Sequence, residues 1–247
     1  MHISQQPWFS KIIHPSRYLG EEINAIKKDP SSVEISIALA FPDVYEIGMS
    51  HLGLKILYHI LNSQHWISAE RVFAPWVDLE SEYKKRNIPL ASLESGRPLS
   101  EFDIVGFSLQ HELCYTNILS MLDLADIPFF SEERGSRDPL IIAGGPAGFN
   151  PEPVATIFDA IVVGDGKEAA LSICQNVREW KLDGGGSRFE LLKELSKTRG
   201  IYIPSLFKVH YGTENIIRSL EPLIEGYTGV EKAIVSDLNS YPFPSRQ

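Results

Sequence analysis

The chain of 247 residues has only two cysteines, Cys114 and Cys174, and neither has a Cys-x-x-Cys neighbour. A zinc knuckle or an iron–sulfur cluster cannot be assembled from these residues alone, and a disulfide-stapled fold is excluded. So few thiols fit a reducing cytoplasm. Positive charge is also scarce: 23 Lys and Arg stand against 32 Asp and Glu, a formal net charge of −9. Phosphate contacts need a basic surface, so direct nucleic-acid binding by this chain is not expected. No apolar run approaches the roughly 18 to 20 residues that span a bilayer. Residues 1–17 carry Gln, Trp, Lys and His where a secretory signal needs a continuous apolar stretch. The expectation is a cytoplasmic protein with no membrane partner.

What is present is 43% apolar residues, enough for one sizeable core with an appendage. Residues 1–32 read as an N-terminal arm, with a short helix over residues 19–28. From Val33 apolar residues alternate up to Phe41, and Pro42 stops the run, the pattern of a first strand. Further strands are expected at residues 71–74, 103–109, 139–143 and 160–163, with a short edge strand at residues 91–94. Helical periodicity marks residues 50–62, 77–86, 113–126 and 167–181. Near-continuous apolar strands separated by helices indicate a parallel sheet covered on both faces. Residues 33–183 are therefore read as a flavodoxin-like or Rossmann-like α/β domain, doubly wound about a five-stranded parallel sheet. Gly184-Gly185-Gly186 marks a boundary. Residues 184–247 then form a small α+β appendage: a helix over residues 189–197, strand-like pieces at 201–204, 207–211 and 216–220, and a proline-punctuated strap at 240–247.

In an open parallel sheet the ligand lies outside the carboxyl ends of the strands, so the strand-to-helix corners are the candidate sites. The first corner holds Asp43, Tyr45 and Gly48, with Ser50 placed to cap the next helix; turn and cap duty alone is the plainer alternative. The third corner, Gly106-Phe107-Ser108-Leu109-Gln110, ends a strand in small and polar residues. His111 and Glu112 follow, without the partner at fixed spacing that acid–base or metal chemistry requires. Gly144-Gly145 leaves room for a ligand against backbone or makes a tight turn. Gly164-Asp165-Gly166-Lys167-Glu168 brings backbone N–H groups to a helix start but is neither a P-loop nor Gly-x-Gly-x-x-Gly.

In this order the corners resemble the N-terminal module of B12-binding-domain radical SAM proteins. The resemblance runs from Arg17 to the C-terminus and rests on four corners. Asp43-x-Tyr45-x-x-Gly48 stands where cobalamin domains carry Asp-x-His-x-x-Gly. Ser108 falls at the Ser-x-Leu-type strand end and Gly144-Gly145 at the fourth strand. Gly164-Asp165-Gly166-Lys167-Glu168 resembles the Gly-Glu-Gly-Glu corner. The resemblance implies cobalamin as cofactor, with Asp43, Tyr45, Gly48, Ser108, Gly144, Gly145, Gly164 and Gly166 as its contacts. Tyr45 replaces the axial histidine, which implies a base-off corrinoid without histidine ligation, or loss of the cofactor. It also implies continuation into a barrel with Cys-x-x-x-Cys-x-x-Cys, a 4Fe–4S cluster and S-adenosylmethionine. That motif is absent here, so this stretch is expected to be an accessory module, itself non-catalytic, whose partner is the barrel of the same full-length chain. The alternatives are a degenerate structural or gating domain without cofactor, and a free-standing flavin or nucleotide binder. The last is disfavoured because Asp43 and Glu46 would repel a phosphate at the first corner.

Overall fold

A computed structural model describes residues 3–237. Five parallel strands, β1 (Ile35–Phe41), β2 (Ile67–Phe73), β3 (Ile104–Ser108), β4 (Leu140–Gly144) and β5 (Ala160–Val162), are joined at one edge by an antiparallel sixth, β6 (Ile201–Tyr202). The spatial order is β2-β1-β3-β4-β5-β6. Its first five members have the flavodoxin-like order, with the switch point between β1 and β3. Every residue of β1 and β2 is buried, as expected of strands covered on both faces. Helices α1 (Tyr45–Ser50) and α2 (Leu52–Asn62) follow β1, α3 (Val77–Arg86) follows β2, α4 (Tyr115–Leu124) follows β3, and α5 (Gly166–Leu182) and α6 (Arg188–Leu195) follow β5, while β4 reaches β5 through 3-10 turns. α2 and α5 pack together and on β1, while α3 packs on α4. A separate ribbon, β7 (Phe207–Tyr211) and β8 (Ile217–Pro222), completes the elements. Among the described residues no helix is long and apolar enough to cross a membrane.

Several local expectations change. Residues 19–28 form no helix. Gly20 sits at φ 62°, so close under loop 90–95 that a Cβ would lie 1.9 Å from the Leu93 carbonyl oxygen. A ten-residue helix is marginal without packing, and the tertiary contact prevails. Residues 91–94 are a turn with one isolated bridge, Ala91 to Pro98, instead of a strand. β2 begins at Ile67, earlier than the expected start at Arg71, because the charged Glu70, buried in the strand, interrupts the apolar run before it. Ile201–Tyr202 belongs to the main sheet, which continues beyond the glycine run. The strap at residues 240–247 lies outside the described residues.

Two carboxylates pin the amino ends of the strands. Asp103, ahead of β3, accepts from the Ser36 backbone N–H and hydroxyl, each at 2.8 Å, and from Lys181 Nζ at 2.7 Å. Asp159, ahead of β5, accepts from the Ile141 N–H at 2.8 Å and from both ends of the Arg188 fork at 2.8 and 3.1 Å. Each pin ties one strand start to its neighbour and to a helix, which fixes register.

The β2 edge is fastened by Arg71. Its guanidinium meets Glu94 Oε1 at 2.6 Å and Glu22 Oε2 at 2.8 Å and lies over the Tyr58 ring, while its N–H donates to Glu94 Oε2 at 2.7 Å. Loop 90–95 thereby covers an edge that would otherwise expose unpaired backbone, with Leu93 N–H donating to Arg71 O at 2.9 Å. At the opposite side the C-terminal segment lodges against β5: Ala233 N–H donates to Val163 O, and Ala233 O accepts from Asp165 N–H, both at 2.9 Å. Gly164, at φ 113°, makes this approach feasible, since a Cβ there would lie 2.2 Å from the Ala233 oxygen.

Arg71→Met strands the buried Glu94 and is expected to cost about 3 to 5 kcal/mol in urea unfolding, whereas Arg71→Met with Glu94→Gln recovers most of that loss. Gly164→Ala is expected to cost about 1 to 3 kcal/mol and to raise hydrogen exchange at Ala233 and Val235 while β1 and β3 stay protected.

Candidate functional site

The carboxyl edge is where the strands run out and the backbone opens. Register aligns Leu39 with Gly106, Gly106 with Ile142, Ser108 with Gly144, and Gly144 with Val162. These residues share the sheet face covered by α2 and α5. Two of them lack side chains, and a space opens between sheet and helices: a cavity of about 320 Å³. Its floor includes Ile37, Leu39, Ile142 and Val162, and its walls Leu57 of α2 with Ala170 and Ile173 of α5. Its mouth carries Ser108, Gln110, Gly144, Gly145, Gly164, Asp165, Gly166 and Lys167. The size is at the lower end of small-molecule pockets, and the mixture of apolar walls with a few polar groups at the mouth is their usual character.

Glycine is required at the mouth for two different reasons. Gly145 holds φ 124°, and a Cβ on it would lie 2.5 Å from the Leu109 carbonyl oxygen. That contact lets Leu109 N–H donate to Gly144 O at 2.7 Å and Ala147 N–H to Leu109 O at 3.1 Å, which turns the chain sharply after β4. Gly106 instead has room: a Cβ there would meet Ile142 Cγ1 at 3.5 Å, an ordinary contact. Its missing side chain enlarges the cavity and relieves no backbone strain.

A second cavity of about 410 Å³ adjoins the first and shares His51, Gly53, Ser108 and Gln110 with it. Asp43, His111 and Cys114 line its outer part. Asp43 Oδ1 accepts from the Val44 N–H at 2.7 Å. The Cys114 thiol lies 2.9 Å from the His111 carbonyl oxygen, and burial pushes its pKa up, so it rests as a protonated donor.

Of the residues singled out from sequence, Ser108, Gly144, Gly145, Gly164 and Gly166 come together at the first cavity, and Asp43 lies at the second. Tyr45 and Gly48 line neither. The Tyr45 hydroxyl donates to Glu22 Oε1 of the arm at 2.8 Å, and its ring packs on Phe73. Burial, reinforced by the Glu22 carboxylate, pushes the phenol up to about 12. Gly48 is buried against Phe73 and Phe41, where a Cβ would lie 2.1 Å from the Phe73 ring, so its smallness serves packing. Gly164 faces the cavity on one side and is filled by Ala233 on the other.

The sequence assigns no role to His51 or Gln110. The helix expected over residues 50–62 is α2, which starts at Leu52; an unexpected short helix, α1, precedes it, and the two are separated at His51, whose ψ of 112° is extended. His51, and not Ser50, caps α2: Leu54 N–H donates to Nδ1 at 3.2 Å, while the exposed Ser50 hydroxyl turns back to Ile47 O. His51 Nε2 lies 3.1 Å from Gln110 Oε1. Since Nδ1 accepts, Nε2 carries the proton and donates. A histidine directly before a helical stripe was the available signal, but histidine ranks low among cap residues. Among the described residues no cluster of three His, Cys, Asp or Glu side chains is arranged to hold a metal ion, and Cys174 is fully buried in α5.

Comparison with known proteins places the chain in a family. An uncharacterised protein of Methanocaldococcus jannaschii is 25% identical over 171 residues, which are 68% of this chain and 31% of that protein. The chain thus spans about a third of the length of the curated relative it matches. No solved structure matches. The family described as radical SAM proteins, N-terminal, matches residues 53–204, a stretch that runs from the start of α2 through β6 and includes the third, fourth and fifth corners. With more than half of its length matched, the chain belongs to the family of radical SAM protein N-terminal regions.

Proposed function

We propose that this chain is the N-terminal accessory module of a radical SAM enzyme and that it holds a base-off corrinoid at the carboxyl edge of its sheet. The observation that carries the reading is the glycine-floored cavity under α2 and α5, opening at Ser108, Gly144 and Gly145. About 320 Å³ accommodates a ligand tail and not a macrocycle. The tail of the cofactor would enter between sheet and helices, with its ring outside on the strand ends. When bound, such a group supplies a cobalt centre that carries a methyl group. The chain's own part is to orient it: apolar walls keep water from the tail, Ser108 offers a hydroxyl at the mouth, and the sharp turn at Gly145 leaves backbone accessible beside it. Tyr45 gives no axial ligand, because its phenol is committed to Glu22. The 4Fe–4S cluster and S-adenosylmethionine would belong to a barrel elsewhere in the full-length protein, facing the same edge, and Cys114 and Cys174 take no part in the cluster.

A second reading, a module that keeps the fold for structure or substrate gating and binds no cofactor, draws on the same Tyr45–Glu22 bond. Titration with hydroxocobalamin under reducing conditions separates the two. Binding with a base-off absorbance spectrum and a raised Tm is expected, and Gly106→Val, which fills the floor, is expected to weaken it about tenfold or more with the fold retained. Unchanged corrinoid absorbance and no thermal shift at saturating ligand would sink the corrinoid reading. Tyr45→His is expected to lose about 0.5 to 1.5 kcal/mol of stability with the Glu22 bond and to produce no imidazole-ligated cobalt spectrum, since residue 45 faces the arm.

A further inference from the structure

We propose that His51 and Gln110 form a latch between the two cavities, and that it opens by exchanging the Gln110 carboxamide for a carboxamide of the ligand. The inference rests on the corrinoid reading above and assigns a role to two corner residues for which the family resemblance implies none.

The latch joins the corner after β1 to the corner after β3, across the switch point of the sheet. Its two halves differ in how firmly they are held. The His51 ring is fixed on three sides. Leu54 N–H donates to Nδ1 at 3.2 Å, the Phe41 ring lies at a centroid distance of 5.1 Å, and Gly53 crowds it so closely that a Cβ there would lie 2.9 Å from His51 Cε1. This fixes the tautomer, and Nε2–H points at Gln110 as a donor. Gln110 sits in the irregular segment between β3 and the turn before α4, and its carbonyl oxygen is the acceptor at 3.1 Å. Its amide nitrogen makes no hydrogen bond among the described residues, so the side chain is held at one end only.

A ligand occupying both cavities passes directly beside these side chains, because both line both cavities. The histidine half demands an acceptor in place of the Gln110 oxygen, and the released amide offers donors in return. Asp43 in the outer cavity disfavours an anion there. The acceptor that suits both conditions is a neutral carboxamide, the group that decorates the rim of a corrinoid. Exchange of one amide for another conserves hydrogen bonds and leaves no buried donor unsatisfied.

Two variants separate the latch from the helix cap. His51→Asn retains a good cap residue for α2 but cannot reach Gln110. Gln110→Leu leaves the histidine donor in place and removes its competitor. Stopped-flow and equilibrium titration of the full chain with hydroxocobalamin are expected to show His51→Asn binding about three- to tenfold more weakly with little change in Tm. Gln110→Leu is expected to bind several-fold faster with equal or higher affinity. Wild-type binding with both variants unchanged in rate and affinity overturns the latch alone. Failure of the wild type to bind overturns the corrinoid reading and the latch together.

Discussion

Asp103 and Asp159 carry the constraint on which the rest of the structure depends. A parallel sheet buried on both faces has backbone that must be satisfied within the sheet or by residues at its two ends. At the amino end two buried or half-buried carboxylates do this, each receiving a neighbouring strand's N–H and a cation from the helix that returns beneath it. A one-residue slip would send every side chain to the opposite face, so the pins decide which residues meet. They place Gly106 between Leu39 and Ile142, and Gly144 between Ser108 and Val162. The cavity is a consequence of that alignment.

The two ends of the sheet therefore have opposite characters. The amino end is closed by charge pairs of strong geometry, among them the Arg188 fork on Asp159. The carboxyl end is opened by glycine and bridged by neutral and backbone contacts, among them a histidine–amide pair, a backbone clasp at Ala233, and Asp165 Oδ2 accepting from Val235 N–H at 2.8 Å. Rigid elements below and adaptable corners above are the arrangement by which a scaffold positions a ligand. The same edge exposes Ile47 and Leu52 after β1, Val77 after β2, and Leu113 after β3, the last 85% accessible.

The arm and loop 90–95 show how tertiary contacts override local preference. Glu22, Glu94, Tyr58 and Tyr45 converge around Arg71 from four separate stretches of chain. A buried guanidinium with two carboxylates is not a strong source of net stability, since desolvation opposes attraction. Its value is geometric, because it permits only one seating of the arm on the sheet edge. The same contact takes Tyr45 away from the cavity.

The strands from β1 to β5, their doubly wound order and the helices between them were legible in apolar runs and helical stripes, because burial on both faces writes itself into composition. Ser108, Gly144, Gly145 and Gly166 were legible as corner residues for the same reason: strand ends are recognisable, and ligands in this architecture meet strand ends. The functions of Tyr45 and Gly48 were not, since a motif position does not reveal whether a side chain turns to a cavity, to an arm 23 residues upstream, or to a phenylalanine on the next strand. The pairing of His51 with Gln110 was not legible, because it spans 59 residues and neither residue is unusual alone. The sheet's composition and order are set by patterns a few residues long. Which polar groups face each other across its carboxyl edge is decided only when register and long-range contacts bring the corners together.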